Sequence, residues 1–372
     1  MMNNLIQKKC IAVLFGGRSG EHDVSMASAR SVLSVLDRNK YIIFPVGISQ
    51  SGSWYTGSDV LEIMSSGSIE GLQKVTILPD PGMPGLYQIK PGSLELLTPL
   101  DVVFPVLHGT FGEDGTLQGL MELADLAYVG GGVLGSSVGM DKGVFKDVMR
   151  ANDIPVVESI LVLRKDIEKD INQVITQTEA NFSYPVFVKP ANLGSSVGIS
   201  KCNNRSDLGE GLLEAAKFDR RILIERGVNA REIEISVLGN DQPKASVPGE
   251  VLPSRDFYSY ESKYVDGSSG LNIPADIPTT TSDEIRAMAI KAYKAIDCAG
   301  LARVDFFLDK ENGNIYLNEL NSMPGFTSIS MYPKLWQSSG LPFNELVDEL
   351  VELALERKSE RDRTERSFRS IS

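Results

Sequence analysis

The stretch ARVDFFLDKENGNIYLNELNSMPG (302–325) contains the strongest local signal in this sequence. Two apolar runs flank an Asn-Gly pair, and that pattern predicts an antiparallel hairpin. Residues two apart in a strand point to the same face, so Arg303 and Asp305 share a face of the first strand. Glu319 and Asn321 share a face of the second strand for the same reason. If the strands pair through this turn, Asp305, Glu319 and Asn321 converge.

These three side chains form a candidate metal site. Two carboxylates and an amide oxygen suit a hard cation such as Mg²⁺, which also takes oxygens from nucleotide phosphates. The alternative is a pair of exposed polar strand faces. However, the neighbours of the acids are apolar, among them Phe306 and Leu317. Because an acid in such surroundings must be paired or metal-bound, the sequence favours the metal site.

A loop rich in glycine and hydroxyl groups, NSMPGFTSISMYP (321–333), follows the second strand. Its backbone N–H groups, such as that of Gly325, lie next to the candidate metal site. Together with Arg303 they suit an anionic substrate or a developing oxyanion.

The hexapeptide LGSSVG occurs twice, at 134–139 and at 193–198. The second copy lies between two strand-like runs, which predicts a hairpin loop. Its glycines allow backbone N–H groups to point at an anion, two serine hydroxyls add donors, and Lys189 adds a charge. Taken alone, this pattern favours a phosphate loop and an ordinary flexible turn about equally. The first copy runs into a helix and indicates a connection between domains that delivers Lys142.

The N-terminal sequence predicts an open parallel α/β domain. IAVLFGG (11–17) is typical of a buried parallel strand, a helical pattern follows it, and 41–49 and 100–109 predict further strands. In such a domain, ligands gather at the carboxyl ends of the strands. Residues 51–97 are rich in Gly, Ser and Pro, so we expect an irregular excursion there with little chemistry of its own.

The loop GGRSGEHDVS (16–25) does not fit a dinucleotide-binding motif, because its glycine spacing differs and the next strand ends without an acid for a ribose. Instead, Glu21 in this loop suits an ammonium group. The chain has two histidines, His22 and His108, and a lone histidine is more often structural than catalytic. His108 is the better candidate, since it ends a buried strand and begins the polar loop HGTFGEDG.

Composition narrows the classes of function. The 372 residues include 37 Lys+Arg and 49 Asp+Glu, and the net charge of −12 argues against nucleic acid or an anionic membrane surface as a partner. Three widely spaced cysteines predict neither a disulfide framework nor a zinc site, which favours a reducing cytoplasm. No apolar run approaches the length of a membrane span.

The C-terminal half predicts mainly helices around the hairpin. TSDEIRAMAIKAYKAI (281–296) opens with a capping box between Thr281 and Glu284, which predicts a helix. The polar and aromatic segment 253–272 predicts a long surface loop, and such loops are often functional. The amphipathic run LPFNELVDELVELALERK predicts a closing helix, followed by a charged and frayed tail.

A set of motifs resembles those of the D-alanine–D-alanine ligase family of the ATP-grasp superfamily. The motifs occur in the family's order over roughly residues 11–335 and read IAVLFGGRSGEHDVS, HGTFGEDGTLQG, GMDK, VKPANLGSSVG, FYSYESKY, RVDFFLD and NELNSMPGFT. The resemblance implies a chain of α/β and α+β class, with an N-terminal open parallel α/β domain followed by a two-lobed ATP-grasp fold. The expected divisions are 1–140 for the substrate-binding domain, 141–225 for the central lobe, 226–358 for the C-terminal lobe and 359–372 for the tail.

The resemblance also implies how ATP is held. Residues that match the phosphate contacts are Lys142, Lys189, Gly194 and Ser196. Those that match the adenine and ribose contacts are Glu225, Val228 and Glu232. Ligands of two Mg²⁺ (or Mn²⁺) ions are matched by Asp305, Glu319 and Asn321.

For the amino-acid substrates, the resemblance implies a second set of positions. Glu21 and Ser195 match residues placed at the first D-alanine, and His108 is predicted as a further substrate contact. Arg303, Gly325 and Ser330 match those at the second D-alanine and the intermediate. Lys263 and Tyr264 match a mobile loop that closes over the site, with Tyr264 reaching Glu21 and Ser195.

The implied activity joins two D-alanines through an acyl phosphate, for peptidoglycan precursor synthesis, in a homodimer. A ligase that joins D-alanine to D-serine or D-lactate is the nearest alternative, although Tyr264 argues against D-lactate. A different ATP-grasp ligase, such as a glutathione synthetase, is disfavoured by GGRSGEHDVS and HGTFGEDG. A nucleotide-binding regulator without turnover is disfavoured because Arg303, Asp305, Glu319 and Asn321 are all present. The sequence does not identify the base that deprotonates the second D-alanine.

Overall fold

The computed structural model describes residues 8–194, 197–252, 270–327 and 329–365, and the strands of these residues form three sheets. Helices and strands alternate in the N-terminal part, whereas antiparallel sheets with helices against them form the rest. Among the described residues, no helix combines the length and the apolar character that crossing a membrane requires.

The first sheet has eight strands in the order β6-β5-β4-β3-β2-β1-β7-β8. Its strands are β1 (Lys9–Gly16), β2 (Tyr41–Ile48), β3 (Trp54–Thr56), β4 (Gln73–Ile77), β5 (Gly85–Lys90), β6 (Ser93–Pro99), β7 (Val102–Pro105) and β8 (Ala127–Tyr128). Its helices are α1 (His22–Val35), α2 (Val60–Ser65), α3 (Thr116–Leu123) and α4 (Val133–Met140). Strand β1 pairs in parallel with β2 and β7, and its apolar run 11–15 is fully buried, so the predicted parallel core is confirmed.

The expectation of an irregular excursion at 51–97 is wrong. This segment forms β3 to β6 and α2, and it extends the parallel core as an antiparallel meander. The strands are three to seven residues long and only partly buried, as in β4, where Val75 and Ile77 point into the core. Because turns rich in Gly and Ser separate them, their apolar residues form no run long enough to identify a strand.

The second sheet has four strands in the order β11-β10-β12-β9. Its strands are β9 (Ser159–Leu163), β10 (Val186–Pro190), β11 (Ser200–Cys202) and β12 (Arg221–Arg226), and its helices are α5 (Lys142–Ala151), α6 (Arg164–Asn181) and α7 (Arg205–Phe218). Strands β10 and β11 pair antiparallel, with Val188 opposite Ser200. The predicted strand-loop-strand around the second LGSSVG copy is therefore confirmed.

The third sheet contains the hairpin of the opening stretch. Its strands are β13 (Ala230–Leu238), β14 (Lys244–Ala245), β15 (Gly249–Leu252), β16 (Gly270–Asn272), β17 (Leu301–Asp309) and β18 (Ile315–Asn321), with helices α8 (Thr279–Ala295), α9 (Met331–Ser338) and α10 (Phe343–Asp362). Strands β17 and β18 pair antiparallel, with Asp305 opposite Glu319 and Arg303 opposite Asn321. The predicted convergence of these side chains is confirmed.

Three local predictions need correction. Helix α8 begins at Thr279, before the predicted capping box, and its first turn has no side-chain cap. Helix α10 continues to Asp362, so the start of the expected tail is helical. Of the predicted loop 253–272, the last three residues form β16, and 253–269 lie outside the described residues.

The first LGSSVG copy is not a linker, because 134–139 lies within helix α4. Helix α4 packs closely against the backbone that precedes β17, since a Cβ atom at Gly135 would lie only 3.0 Å from Cα of Cys298. Lys142 begins the next helix, α5, as predicted. The first copy is thus helical, in a place where glycine permits close packing.

Candidate active site

A cleft forms where loops from all three sheets meet. Its walls come from the loops after β1 and β7, the α4–α5 junction, the β10–β11 loop, strands β17 and β18, and the segment after β18. The lining residues that the sequence predicted are Glu21, His108, Lys142, Gly194, Arg303, Glu319, Asn321 and Gly325. The structure therefore brings together residues separated by about 300 positions in the chain.

Glu21 is the contact point of three loops in this cleft. The side chain is buried, with 8% exposed. A Cβ atom at Gly109 would lie 2.4 Å from Glu21 Oε2, and one at Gly194 would lie 3.1 Å from it. Glycine at these positions lets the loop after β7 and the β10–β11 loop approach the carboxylate. A buried acid reached by two backbones suits a small cationic group such as an ammonium.

His108 holds the segment after β18. Its Nδ1 lies 2.9 Å from the Met323 carbonyl oxygen, and its Nε2 lies 3.0 Å from Ser28 Oγ. Because a carbonyl can only accept, Nδ1 carries the proton and Nε2 accepts from the hydroxyl. Burial lowers the pKa of His108, despite the opposing effect of Glu21, which favours this neutral form. His108 therefore lines the cleft and also joins the first sheet's loops to the third sheet.

Lys142 links the glycine loop to the hairpin. Its Nζ donates to the Leu193 carbonyl oxygen at 2.7 Å and lies 3.6 Å from Glu319 Oε2. Asp141 caps helix α5 by accepting from the N–H groups of Gly143 and Val144, and it pairs with Arg221. The cap fixes the start of the helix, and so it fixes the direction of the lysine into the cleft.

A buried charge cluster lies beside the cleft at Glu225, Lys189 and Lys146. Glu225 is 3% exposed and pairs with both lysines, with its Oε1 2.8 Å from Lys146 Nζ. Burial opposes ionisation of Glu225, but the two lysines lower its pKa to about 2. Burial also opposes the charge on Lys189, yet Glu225 raises its pKa, so that lysine stays a cation. Burial lowers the pKa of Lys146.

Sequence analysis did not single out Lys146. Its spacing from Lys142 was the available signal, because residues four apart share one face of a helix. Two further acids were also missed. Glu113 is a buried carboxylate in the cleft wall, and Glu234 Oε2 lies 3.0 Å from Arg303 Nε. Glu234 lies on β13 directly opposite Asp305, and no spacing in the sequence indicates that pairing.

The candidate metal residues lie next to one another on the β17–β18 hairpin. Arg303 binds Asp305 with two hydrogen bonds of 2.7 Å, and Asn321 Nδ2 donates to Asp305 Oδ2 at 3.0 Å. Glu319 lies opposite Asp305 in the strand pair. Within the parts of the chain that the structure describes, no group of three His, Cys, Asp or Glu side chains forms a metal-binding cluster. Two carboxylates with one amide still fit a hard cation, provided that Asp305 exchanges its arginine contact for the ion.

Gly325 lines the other wall of the cleft, and Ser330 lies against it. A Cβ atom at Gly325 would lie 2.8 Å from Ser330 Oγ, and that hydroxyl accepts from the Thr327 N–H at 3.0 Å. The hydroxyl therefore closes a turn beside the Gly325 backbone.

Some predicted residues lie away from the cleft lining or outside the described residues. Val228 lies between β12 and β13, and Glu232 lies on β13 opposite Val251 and Phe307. The described contacts do not bring either residue to the cleft wall. Outside the described residues are Ser195, Ser196, Lys263 and Tyr264.

Two family models match this chain. The model described as "D-ala D-ala ligase N-terminus" matches residues 10–131, and the one described as "D-ala D-ala ligase C-terminus" matches residues 148–352. The D-alanine–D-alanine ligase of Heliobacterium modesticaldum is 49% identical over 96% of this chain and 98% of that protein. The D-alanine–D-alanine ligase of Natranaerobius thermophilus is 47% identical over 98% of this chain and 99% of that protein.

Solved structures show the same similarity in three dimensions. The D-alanine–D-alanine ligase from Coxiella burnetii has a TM-score of 0.80 at 37% identity and covers 95% of this chain and 96% of its own. The VanG D-Ala:D-Ser ligase from Enterococcus faecalis has a TM-score of 0.83 at 36% identity and covers 94% of this chain and 100% of its own. The fold class predicted from the sequence is confirmed.

Proposed function

The chain belongs to the D-alanine–D-alanine ligase family, and we propose that it joins two D-alanines into D-alanyl-D-alanine while ATP becomes ADP and phosphate. The resemblance carried by the motifs is thereby confirmed. The observation that best supports the proposal is the cleft, which unites an acid for an ammonium group, Glu21, with two cations, Lys142 and Arg303. An amino-acid substrate and a nucleotide phosphate need these opposite charges side by side.

Members of this family use ATP, generally together with Mg²⁺. We propose that this chain takes two Mg²⁺ ions, and that Mn²⁺ can replace them, at Asp305, Glu319 and Asn321. Bound there, the ions would neutralise negative charge on the phosphate oxygens. The donor set supports the proposal, since carboxylate and amide oxygens are ligands that hard cations prefer.

The phosphates of ATP are proposed to contact the lysines and the glycine loop. Lys142 supports this placement because its ammonium lies between the loop and the hairpin. Lys189 supports it because Glu225 keeps it charged. The proposed phosphate contacts are Lys142, Lys189, Gly194 and Ser196, and the proposed adenine and ribose contacts are Glu225, Val228 and Glu232.

In the proposed first step, Glu21 binds the ammonium group of the first D-alanine, beside Ser195 and His108. The carboxylate of that D-alanine attacks the γ-phosphorus of ATP. The bond from phosphorus to the bridging oxygen breaks, ADP leaves, and an acyl phosphate forms. Lys142 and Lys189 neutralise the negative charge that spreads over the phosphoryl oxygens.

In the proposed second step, the free amine of the second D-alanine attacks the acyl carbon. The tetrahedral intermediate then loses the amine proton to a base and breaks its carbon–oxygen bond to phosphate, so that phosphate leaves and the peptide bond remains. Arg303 and the Gly325 N–H stabilise the oxyanion, and Ser330 helps to position the second D-alanine. Acyl phosphates hydrolyse, so the segment with Lys263 and Tyr264 is proposed to close over the site and exclude water, with Tyr264 reaching Glu21 and Ser195.

The remaining assignments concern the whole protein. We propose a role in peptidoglycan precursor synthesis in the cytoplasm, as a homodimer. The odd number and wide spacing of Cys10, Cys202 and Cys298 support a reducing compartment. We also propose the domain divisions 1–140, 141–225 and 226–358, which are consistent with the separate N-terminal and C-terminal family matches.

The second amino acid is tested by comparing products. Purified protein with Mg²⁺ and ATP receives D-alanine alone, D-alanine with D-serine, or D-alanine with D-lactate, and products are weighed by mass spectrometry. We expect D-alanyl-D-alanine from D-alanine alone and as the main product of the mixtures, because the 47–49% identical relatives are D-alanine–D-alanine ligases. A product that contains D-serine or D-lactate, together with little D-alanyl-D-alanine, would contradict the proposal. The likeness to the VanG ligase makes D-serine the more informative competitor.

A further inference from the structure

Glu113 joins two loops that are far apart in sequence. It lies in the polar loop after β7, and its side chain is buried. Its Oε2 accepts from the Gly109 N–H at 2.7 Å, within the same loop. Its Oε1 accepts from the Met323 N–H at 3.0 Å, across 210 positions of the chain. One carboxylate therefore ties the first sheet's loop to the segment that follows β18.

Two further residues of the N-terminal part form hydrogen bonds with residues 323–326, which we call the 323–326 segment. His108 Nδ1 donates to the Met323 carbonyl oxygen at 2.9 Å. The Phe326 N–H donates to Ser28 Oγ at 3.2 Å. Glu113 and His108 thus hold both polar groups of the Met323 backbone region, and Ser28 holds the other end. Gly325 lies between these anchors and lines the cleft.

The place of Glu113 is electrostatically costly. Burial and the nearby charge of Glu21 raise its pKa to about 8, although the two N–H donors oppose that rise. Burial of a carboxyl group in this position costs free energy, and only contacts specific to that group offset the cost. Those contacts are the two backbone N–H groups that it accepts from.

We infer that Glu113 is a positioning residue for the second chemical step, because it fixes the 323–326 segment and with it the Gly325 backbone. The inference rests on the proposed function, which places Gly325 at the oxyanion of the tetrahedral intermediate. Glu113 itself does not touch the reacting atoms. Its loss should slow attack by the second D-alanine while formation of the acyl phosphate from the first D-alanine continues.

The test compares the two steps directly in Glu113→Gln and Glu113→Ala. Reversible acyl-phosphate formation is followed by the movement of ¹⁸O between the bridging and non-bridging positions of ATP in the presence of D-alanine. Dipeptide formation is followed by mass spectrometry. Gln keeps one acceptor and Ala keeps none, so the ratio of exchange to dipeptide formation should rise in that order. We expect a rise of about tenfold or more, since small misplacements cost up to about 10²-fold in rate.

Asp114→Asn is the matched control. Asp114 is the next residue of the same loop, and it also accepts from two backbone N–H groups, those of Phe111 and Thr116 at 2.9 and 3.0 Å. Both partners are close to Asp114 in the chain, so this variant tests a local structural role. Its ratio of exchange to dipeptide formation should equal that of the wild type, even if its melting temperature falls.

An unchanged ratio in Glu113→Gln and Glu113→Ala would overturn the inference, as would an equal rise in Asp114→Asn. If the Glu113 variants do not fold, Ser28→Ala carries the test, because it removes the Phe326 anchor of the same segment. A raised ratio in that variant supports the inference, and an unchanged one contradicts it. Failure of the proposed function looks different, since wild-type protein would then form no dipeptide at all.

Discussion

At the scale of single residues, the absence of a side chain at Gly109 shapes the site at Glu21. Gly109 has a φ of +72°, and a Cβ atom there would lie 2.4 Å from Glu21 Oε2. Gly109→Ala therefore has to displace the carboxylate and strain the backbone. We expect KM for D-alanine to rise about tenfold or more, with a lower melting temperature.

Gly119→Ala is the control for that prediction. Gly119 lies in helix α3, and a Cβ atom there would meet nothing within 4 Å. Alanine favours a helix over glycine by about 1 kcal/mol, so this variant should be at least as stable as the wild type and equally active. Equal kinetics for Gly109→Ala and Gly119→Ala would contradict the role given to Glu21.

Asp305 and Glu319 lead to a second prediction at this scale. Asp305→Asn and Glu319→Gln keep the size of each side chain but remove a charge that a hard cation needs. We expect kcat to fall by about 10²-fold or more in each variant, while the circular dichroism spectrum stays that of a folded protein. A turnover rate that is unchanged in both variants would exclude these residues as metal ligands.

At the scale of secondary-structure elements, Glu225 on β12 pairs with Lys146 of α5 and Lys189 of β10. Glu225→Gln leaves two buried lysines without their counter-charge, and we expect a loss of about 3–5 kcal/mol in unfolding free energy at pH 7. The folded-state pKa of about 2 lies below the ordinary value of 4.5. The ionic contribution is therefore complete above about pH 4.5 and is lost as the pH falls toward 2.

Urea unfolding of the wild type and of Glu225→Gln between pH 7 and pH 3.5 measures this effect. The difference in unfolding free energy should shrink as the pH falls below about 4.5. A difference that is constant over the whole range would mean that packing, rather than charge, accounts for the contribution of Glu225.

Elements differed in how well the sequence predicted them. The β17–β18 hairpin was predictable because alternation and an Asn-Gly turn are local features, and they also place Asp305 opposite Glu319. The structure of the LGSSVG hexapeptide was not predictable, because the copy at 134–139 forms part of helix α4 whereas the copy at 193–198 follows strand β10. Only the surrounding packing distinguishes these two outcomes.

The site itself was partly predictable for the same reason. Glu21, Lys142 and Glu319 belong to motifs whose residue types indicate their chemistry. Glu113 and Glu234 act through partners on other sheets or strands, and no spacing in the chain reveals those contacts. Long-range register and loop packing have to be known before such residues can be found.

At the scale of the whole molecule, the C-terminal helix α10 is bound to the N-terminal sheet. Buried residues of α10 such as Leu350 share one hydrophobic cluster with Phe104 of β7 and Phe326. Polar contacts add to this, because Arg357 donates to the Gly130 carbonyl oxygen at 2.7 Å and lies 4.1 Å from the centre of the Tyr128 ring. These contacts between α10 and the first sheet, here called the joint, hold the loops of the first and third sheets against each other at the cleft.

Arg357→Met tests the joint. The variant keeps the apolar stem but loses a hydrogen bond and the cation–π contact, so we expect a loss of about 1–3 kcal/mol in unfolding free energy. Arg363→Met is the control, because Arg363 is 75% exposed and pairs only with nearby Glu360 in the described contacts. Its effect should be within about 0.5 kcal/mol. If urea unfolding shows equal losses, the joint at Arg357 contributes nothing specific.

The proposed reaction activates one D-alanine carboxylate as an acyl phosphate for attack by a second D-alanine. Incubation with D-alanine labelled with ¹⁸O in its carboxyl group, unlabelled ATP and Mg²⁺ tests it most directly. The carboxylate oxygen that attacks phosphorus leaves with the phosphate, so each released phosphate should contain one ¹⁸O atom, in equal amount to the dipeptide formed. Phosphate without label would show that water, not D-alanine, attacks ATP, and it would contradict the account.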